Sequence, residues 1–154
     1  MNTANEIKIT LTSRSVNESF SRAAIAAFVS QADPTVEELN DIKTAVSEAV
    51  TNCIVHAYPN THGKIYITAS ISLAGKVLIR IRDQGLGIED VKKAREPLYT
   101  TLGGDRAGLG FSVMESFSDK LYVRSKLGKG TTVTIEKQIW GKLKAEKAPK
   151  AQES

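Results

Sequence analysis

The chain is predicted to fold as an α+β domain, a two-layer α/β sandwich with its helices on one face of a mixed, mostly antiparallel sheet. Two observations predict it. Strand-like runs and helix-like runs are segregated along the chain instead of alternating strictly as βαβ units do. The 154 residues, 41% hydrophobic and 25% charged, also have the composition of an ordinary soluble domain with a single core.

The elements follow in order. Ile7, Ile9 and Leu11 alternate with Lys8, Thr10 and Thr12, so residues 6–12 read as a half-buried strand. Ser15 and Glu18 stand at capping-box spacing before Phe20, Ala23, Ala24, Ala27 and Phe28, which recur at helical intervals. That helix is expected to stop near Ala32, because Pro34 disfavours helical geometry at Asp33. Thr35 and Glu38 repeat the capping-box pattern and open a longer helix to about Ala57. Residues 64–73 and 76–83 are β-rich runs joined by a hairpin at Ala74-Gly75. The stretch 85–110 is glycine-rich, with one short helical piece at 89–95. A helix over 109–117 and strands over 121–125 and 131–137, around a turn at 128–130, complete the domain. Its bounds are set at 1–140. The lysine-rich segment 141–154 reads as a frayed tail with too little apolar content to pack.

Charge and composition exclude several function classes. The net charge is +4, and the tail's four lysines and two glutamates supply half of it. No basic stripe with interleaved aromatics is visible, so direct nucleic-acid binding is not expected. No apolar run approaches the roughly 18 residues needed to span a bilayer, and residues 1–6 lack the pattern of a signal peptide. A cytoplasmic protein with no membrane contact is expected. The single cysteine, Cys53, permits no intrachain disulfide and reads as a small buried apolar residue of the second helix.

That second helix carries the first candidate chemistry. Leu39, Ile42, Val46, Val50, Cys53, Ile54 and Ala57 share one side; Asp41, Thr44, Glu48, Asn52 and His56 share the other. Glu48 and Asn52 are four residues apart and project one above the other. Asn52 offers a neutral oxygen to a hard cation such as Mg²⁺. Glu48 can accept a proton from an attacking hydroxyl or orient it. The strand over 76–83 runs into Asp83-Gln-Gly85-Leu-Gly87. A carboxylate at a strand terminus can accept a hydrogen bond from an exocyclic amine, and the glycines allow backbone to approach a flat ring. Gly108-Leu109-Gly110 opens the next helix, where free N–H groups and the helix dipole favour phosphate. The long glycine-punctuated segment 89–106 between these turns is a candidate lid.

Together, Glu48-Ala-Val-Thr-Asn52, Asp83-Gln-Gly-Leu-Gly87, Gly108-Leu-Gly110 and Gly130-Thr-Thr132 resemble the ordered motifs of the GHKL ATPase superfamily, whose nucleotide site is the Bergerat fold. Lys43 to Asn52 followed by His56-Ala-Tyr, Glu96-Pro-Leu-Tyr-Thr-Thr101 and Asn17-Glu-Ser-Phe-Ser-Arg22 are similar to the serine-protein kinases that act as anti-sigma factors. Within that family they look most like the anti-sigma-F group of spore-forming bacteria. The resemblance implies ATP and Mg²⁺ as cofactors, a homodimer that holds a sigma factor inactive, and phosphorylation of a serine on an anti-anti-sigma factor. It implies Glu48 as catalytic base, Asn52 as Mg²⁺ ligand and Asp83 as the adenine-amine acceptor, with Gly85 and Gly87 lining the base. Gly108, Leu109 and Gly110 would meet the phosphates, with Thr100, Thr101 and Arg106 contributed from the lid. Thr131 would support the adenine edge, and Arg22 would face the partner. Family members often carry Thr-Thr-Lys-Pro in the lid, where this chain has Thr100-Thr101-Leu102-Gly103. A nucleotide-gated sigma-binding module with little kinase activity is the alternative, as is a general-stress, sigma-B-type kinase.

Overall fold

The computed structural model describes residues 3–96 and 109–141. Five strands, β1 (Thr3–Thr12), β2 (Lys64–Ser72), β3 (Lys76–Asp83), β4 (Lys120–Lys126) and β5 (Gly130–Gln138), form one sheet in the order β1-β2-β3-β5-β4. All four pairings are antiparallel, so the expected mixed sheet resolves to an antiparallel one. The helices are α1 (Val16–Val29), α2 (Val36–Asn52), a short α3 (Val91–Ala94) and α4 (Phe111–Ser116). A 3₁₀ turn over Ser30–Ala32 ends the first helical run, and α2 continues as a π-helical segment over Cys53–Ala57.

The core lies between α1–α2 and the inner face of the sheet. Ile42, Val46 and Val50 of α2 meet Ile65 and Ile67 of β2, Ile79 and Ile81 of β3, and Val133 and Ile135 of β5, all buried. Each such side chain contributes on the order of 1.5–3 kcal/mol through burial. Strand alternation decides what else faces inward. Val77, Ile79 and Ile81 point into the core, and the next residue of the same parity is Asp83. A carboxylate therefore ends the buried row of β3. In β5 the inward row of Val133 and Ile135 ends at Lys137, whose Nζ lies 3.2 Å from Asp41 Oδ2 on α2.

The Thr35–Glu38 capping box forms: Thr35 Oγ1 accepts from Glu38 N, and Glu38 Oε1 accepts from Thr35 N at 2.9 Å. The one expected at Ser15–Glu18 does not. Ser15 is already helical, at φ −58° and ψ −32°, so its side chain does not reach the first-turn amides. Glu18 instead pairs with Arg22 at 3.2 Å and accepts from the Ser47 hydroxyl on α2. An i, i+4 ion pair and a hydrogen bond from α2 take the carboxylate that the cap would have used. Of the expected tail 141–154, residues 142–154 lie outside the described residues, whereas Gly141 is buried and donates its N–H to Glu38 Oε1.

Candidate functional site

The end of β3, the end of α2 and the start of β5 form the sides of a narrow slot. Its walls are apolar, from Ile81, Ile88, Leu109 and Val133, and Asp83 and Thr131 are its polar floor. Asp83 is 5% exposed. Its Oδ1 accepts from Gly85 N at 2.9 Å and Thr131 N at 3.2 Å, and its Oδ2 accepts from the Cys53 thiol at 3.5 Å. The carboxylate is thus held from three elements, with acceptor capacity left on Oδ2. Cys53 is buried as expected, but it is also a donor to the site. Burial, together with the negative Asp83 beside it, pushes its pKa far above the ordinary value, so it remains a thiol.

Two further residues hold the floor: Ser125, which carries no motif signal, and Tyr58, which ends the His56-Ala-Tyr58 run. Ser125 of β4 donates to Gly130 O at 3.0 Å and accepts from Ile88 N at 2.7 Å, and its Oγ lies 2.7 Å from Thr131 Oγ1. Tyr58 accepts from Gln84 N at 2.7 Å and donates to Lys64 O at 2.8 Å. The contacts of Ser125 with Ile88 and of Tyr58 with Gln84 join residues distant in sequence, which local spacing does not reveal.

Gly85 and Gly87, expected to line the base, also sit against neighbouring backbone. A Cβ on Gly85 would sit 2.3 Å from Ala57 O, and one on Gly87 2.2 Å from Lys126 O. These positions let backbone pack on backbone, which allows Leu86 N to reach Ala57 O at 3.1 Å and Gly128 N to reach Leu86 O at 2.7 Å. Gly87 still lines the slot; Gly85 supports it from behind.

Beyond the floor, α2 presents Asn52 and then Glu48, one turn apart. The Asn52 amide nitrogen donates to Leu109 O, which leaves its Oδ1 as an available neutral acceptor. Glu48 is half-buried, and a Cβ on Gly110 would lie 2.2 Å from its Oε1. Gly110 has φ +70°, a left-handed conformation that glycine adopts without strain. Burial first, and the Glu18 carboxylate second, raise the Glu48 pKa above the usual carboxylate range. A second groove, lined by Arg22, Lys43, Ser47 and Glu48 among others, opens on the α1 side. Arg22 and Glu48 thus share one surface cleft. Thr100, Thr101, Arg106 and Gly108 lie outside the described residues. No cluster of three or more metal-binding acidic, histidine or cysteine side chains occurs among the described residues. No helix among them is long and apolar enough to cross a membrane.

Residues 11–137 match the histidine kinase-like ATPase domain family. The anti-sigma F factor of Caldanaerobacter subterraneus subsp. tengcongensis is 56% identical over 136 residues, covering 88% of this chain and 94% of the relative. Those of a Thermoanaerobacter species (54%; 90% of this chain and 97% of the relative) and of Geobacillus kaustophilus (48%; 88% and 93%) are similarly full-length matches. In fold, the chain is similar to a crystal structure of the RsbU and RsbW domains of a Mycobacterium tuberculosis protein. That match has a TM-score of 0.66 at 20% identity, covering 88% of this chain and 33% of that one. It is also similar to the histidine kinase domain of a blue-light-activated kinase from Erythrobacter litoralis, with a TM-score of 0.55 at 20% identity over 79% of this chain and 61% of that one. With these matches spanning the β3 floor, the α2 carboxylate and amide, and the sheet that joins them, the chain belongs to the anti-sigma F factor family of histidine kinase-like ATPase domains.

Proposed function

We propose that the chain binds ATP with Mg²⁺, holds a sigma factor of the sigma-F type inactive, and phosphorylates a serine on an anti-anti-sigma factor. The observation that carries this reading is the buried Asp83, anchored from three elements at the floor of an apolar slot that leads to Asn52 and Glu48. The site's donor set fits such a ligand. Asp83 Oδ2 keeps an acceptor position for a ring amine, and the apolar walls suit a flat heterocycle. Asn52 Oδ1 is one neutral oxygen, which suits Mg²⁺, an ion that takes its remaining ligands from phosphate and water. ATP supplies the phosphoryl group when bound.

The chain's own residues supply positioning and proton handling. Asp83 fixes the base end, with Gly87 and Thr131 beside it and Gly85 behind. Asn52 holds the metal end. Glu48, its basicity raised by burial and by Glu18, accepts the proton of the attacking serine hydroxyl. Leu109 and Gly110 lie against Asn52 and Glu48 and close the phosphate end, with Gly108, Thr100, Thr101 and Arg106 assigned to the same end by motif. Arg22, in the cleft it shares with Glu48, is assigned to the partner. The protein acts as a cytoplasmic homodimer in this reading.

The substitution Glu48→Gln tests it. In single-turnover assay with labelled ATP and a serine-bearing anti-anti-sigma partner, the variant should retain nucleotide and lose transfer by about a hundredfold or more, the scale of general-base catalysis. Undiminished labelling of the partner contradicts the assignment. The lid sequence Leu102-Gly103, in place of Lys-Pro, favours a second reading, a nucleotide-gated sigma-binding module. Tight ATP binding by the wild type with no labelled partner would support that module instead.

A further inference from the structure

The π-helical segment after Asn52 is fastened to the turn that carries Asp83 by polar contacts from both of its ends. Cys53 Sγ donates to Asp83 Oδ2 at 3.5 Å, Leu86 N donates to Ala57 O at 3.1 Å, and Gln84 N donates to Tyr58 Oη at 2.7 Å. Widening the helix to π geometry pairs Tyr58 N with Cys53 O at 3.2 Å. Single π turns of this kind recur where a helix must re-aim a functional side chain. Here the residue at the start of the widened turn is Cys53, 3% exposed and lining the slot.

An ionised carboxylate offers about four acceptor positions. On Asp83, Gly85 N and Thr131 N occupy two on Oδ1, and the Cys53 thiol occupies one on Oδ2. One position on Oδ2 remains. We propose that Cys53 is a positioning residue for purine selection: its thiol fixes the rotation of the Asp83 carboxylate, so that the single remaining acceptor position takes a 6-amino group and rejects a 6-oxo group. The inference rests on the slot being the nucleotide site proposed above.

The physical basis is the cost of facing two acceptors across a narrow slot with apolar walls. A 6-oxopurine presents a carbonyl where a 6-aminopurine presents an N–H donor, and the buried Asp83 oxygen is then left unpaired. That penalty is greatest while the carboxylate is held still. Without the thiol, the carboxylate has a second open position on Oδ2. It can then turn, or keep a water, and so accommodate the wrong base at lower cost.

Calorimetric titration of the full chain with Mg·ATP and with Mg·ITP, whose base carries the 6-oxo group, tests the proposal. The wild type should prefer ATP. Cys53→Ala, and Cys53→Val as a variant that keeps the buried volume, should reduce the ATP-to-ITP affinity ratio by about three- to tenfold. Cys53→Ser, whose hydroxyl can donate from the same position, should restore it. An unchanged ratio in the alanine or valine variant overturns the proposal. So does equal weakening of both nucleotides, which marks a packing role alone. A wild type that does not distinguish ATP from ITP overturns this inference and the adenine assignment of Asp83 together, a result separate from either of those.

Discussion

Glu48 shows how a polar residue on a helix face becomes a base. Its carboxylate sits against the bare Cα of Gly110, half out of water, with Glu18 close enough to add a like charge. Both influences favour the protonated form, so the folded-state pKa is raised. For such a group the folded state binds the proton more tightly than the unfolded state does. Its stabilising contribution is complete below the usual 4.5 and is lost as pH rises through the folded-state value. Glu48→Gln removes that loss. Urea denaturation without nucleotide should find the variant slightly more stable than wild type at neutral pH, with the difference vanishing below about pH 4.5. A variant less stable at neutral pH would show that Glu48 serves the fold and not the chemistry. The i, i+4 spacing of Glu48 and Asn52 was readable in the sequence because it depends only on helix period. The pressure on Glu48 was not, because Glu18 and Gly110 reach it from other elements.

At the scale of the element, α2 is fixed at its start by a single carboxylate with two tasks. Glu38 closes the capping box with Thr35, and it also accepts from Trp140 N at 2.8 Å and Gly141 N at 3.1 Å. It thereby ties the chain beyond β5 to the base of the helix that carries the site. Burial acts to raise its pKa, but the hydrogen bonds from Thr35, Trp140 and Gly141 outweigh that and hold it below the usual value. The linkage therefore has the opposite sign to that of Glu48. Stability from Glu38 is full above the usual 4.5 and is lost as pH falls through the lower folded-state value. Glu38→Ala should cost about 1–2 kcal/mol at neutral pH, on the scale of a lost helix cap, and the gap to wild type should narrow in acid. An unaltered urea midpoint at neutral pH would contradict the clamp. The capping box itself was legible from Thr35-x-x-Glu38; its second use was not, since Trp140 and Gly141 lie far along the chain. At Ser15-x-x-Glu18 the same pattern misled, because the backbone of Ser15 is helical and Glu18 finds charged and hydroxyl partners elsewhere.

Across the whole molecule, the sheet brings the site together. Strand order β1-β2-β3-β5-β4 sets the Asp83 end of β3 beside the Thr131 end of β5, and α2 crosses the core above them. Each strand and each long helix was legible from its period, and α2 also from its cap, because those signals are local. The order of the strands in the sheet was not, since strand neighbours are chosen by long-range packing. Asp83 was legible as a carboxylate at a strand end, and in the structure it shares the buried parity of Val77, Ile79 and Ile81. What parity could not supply was the thiol of Cys53, the backbone N–H of Thr131 and the backbone crowding around Gly85 and Gly87 that hold it there. Asp83 is thus the point on which fold and function converge. The most direct test is a calorimetric titration of Mg·ATP into the wild type and Asp83→Asn, with thermal unfolding of each as a check on folding. If Asp83 receives the adenine amine, the wild type should bind, and the folded variant should lose about tenfold or more in affinity, the worth of a hydrogen bond to a buried charge. A folded Asp83→Asn that binds ATP as tightly as wild type would contradict the account.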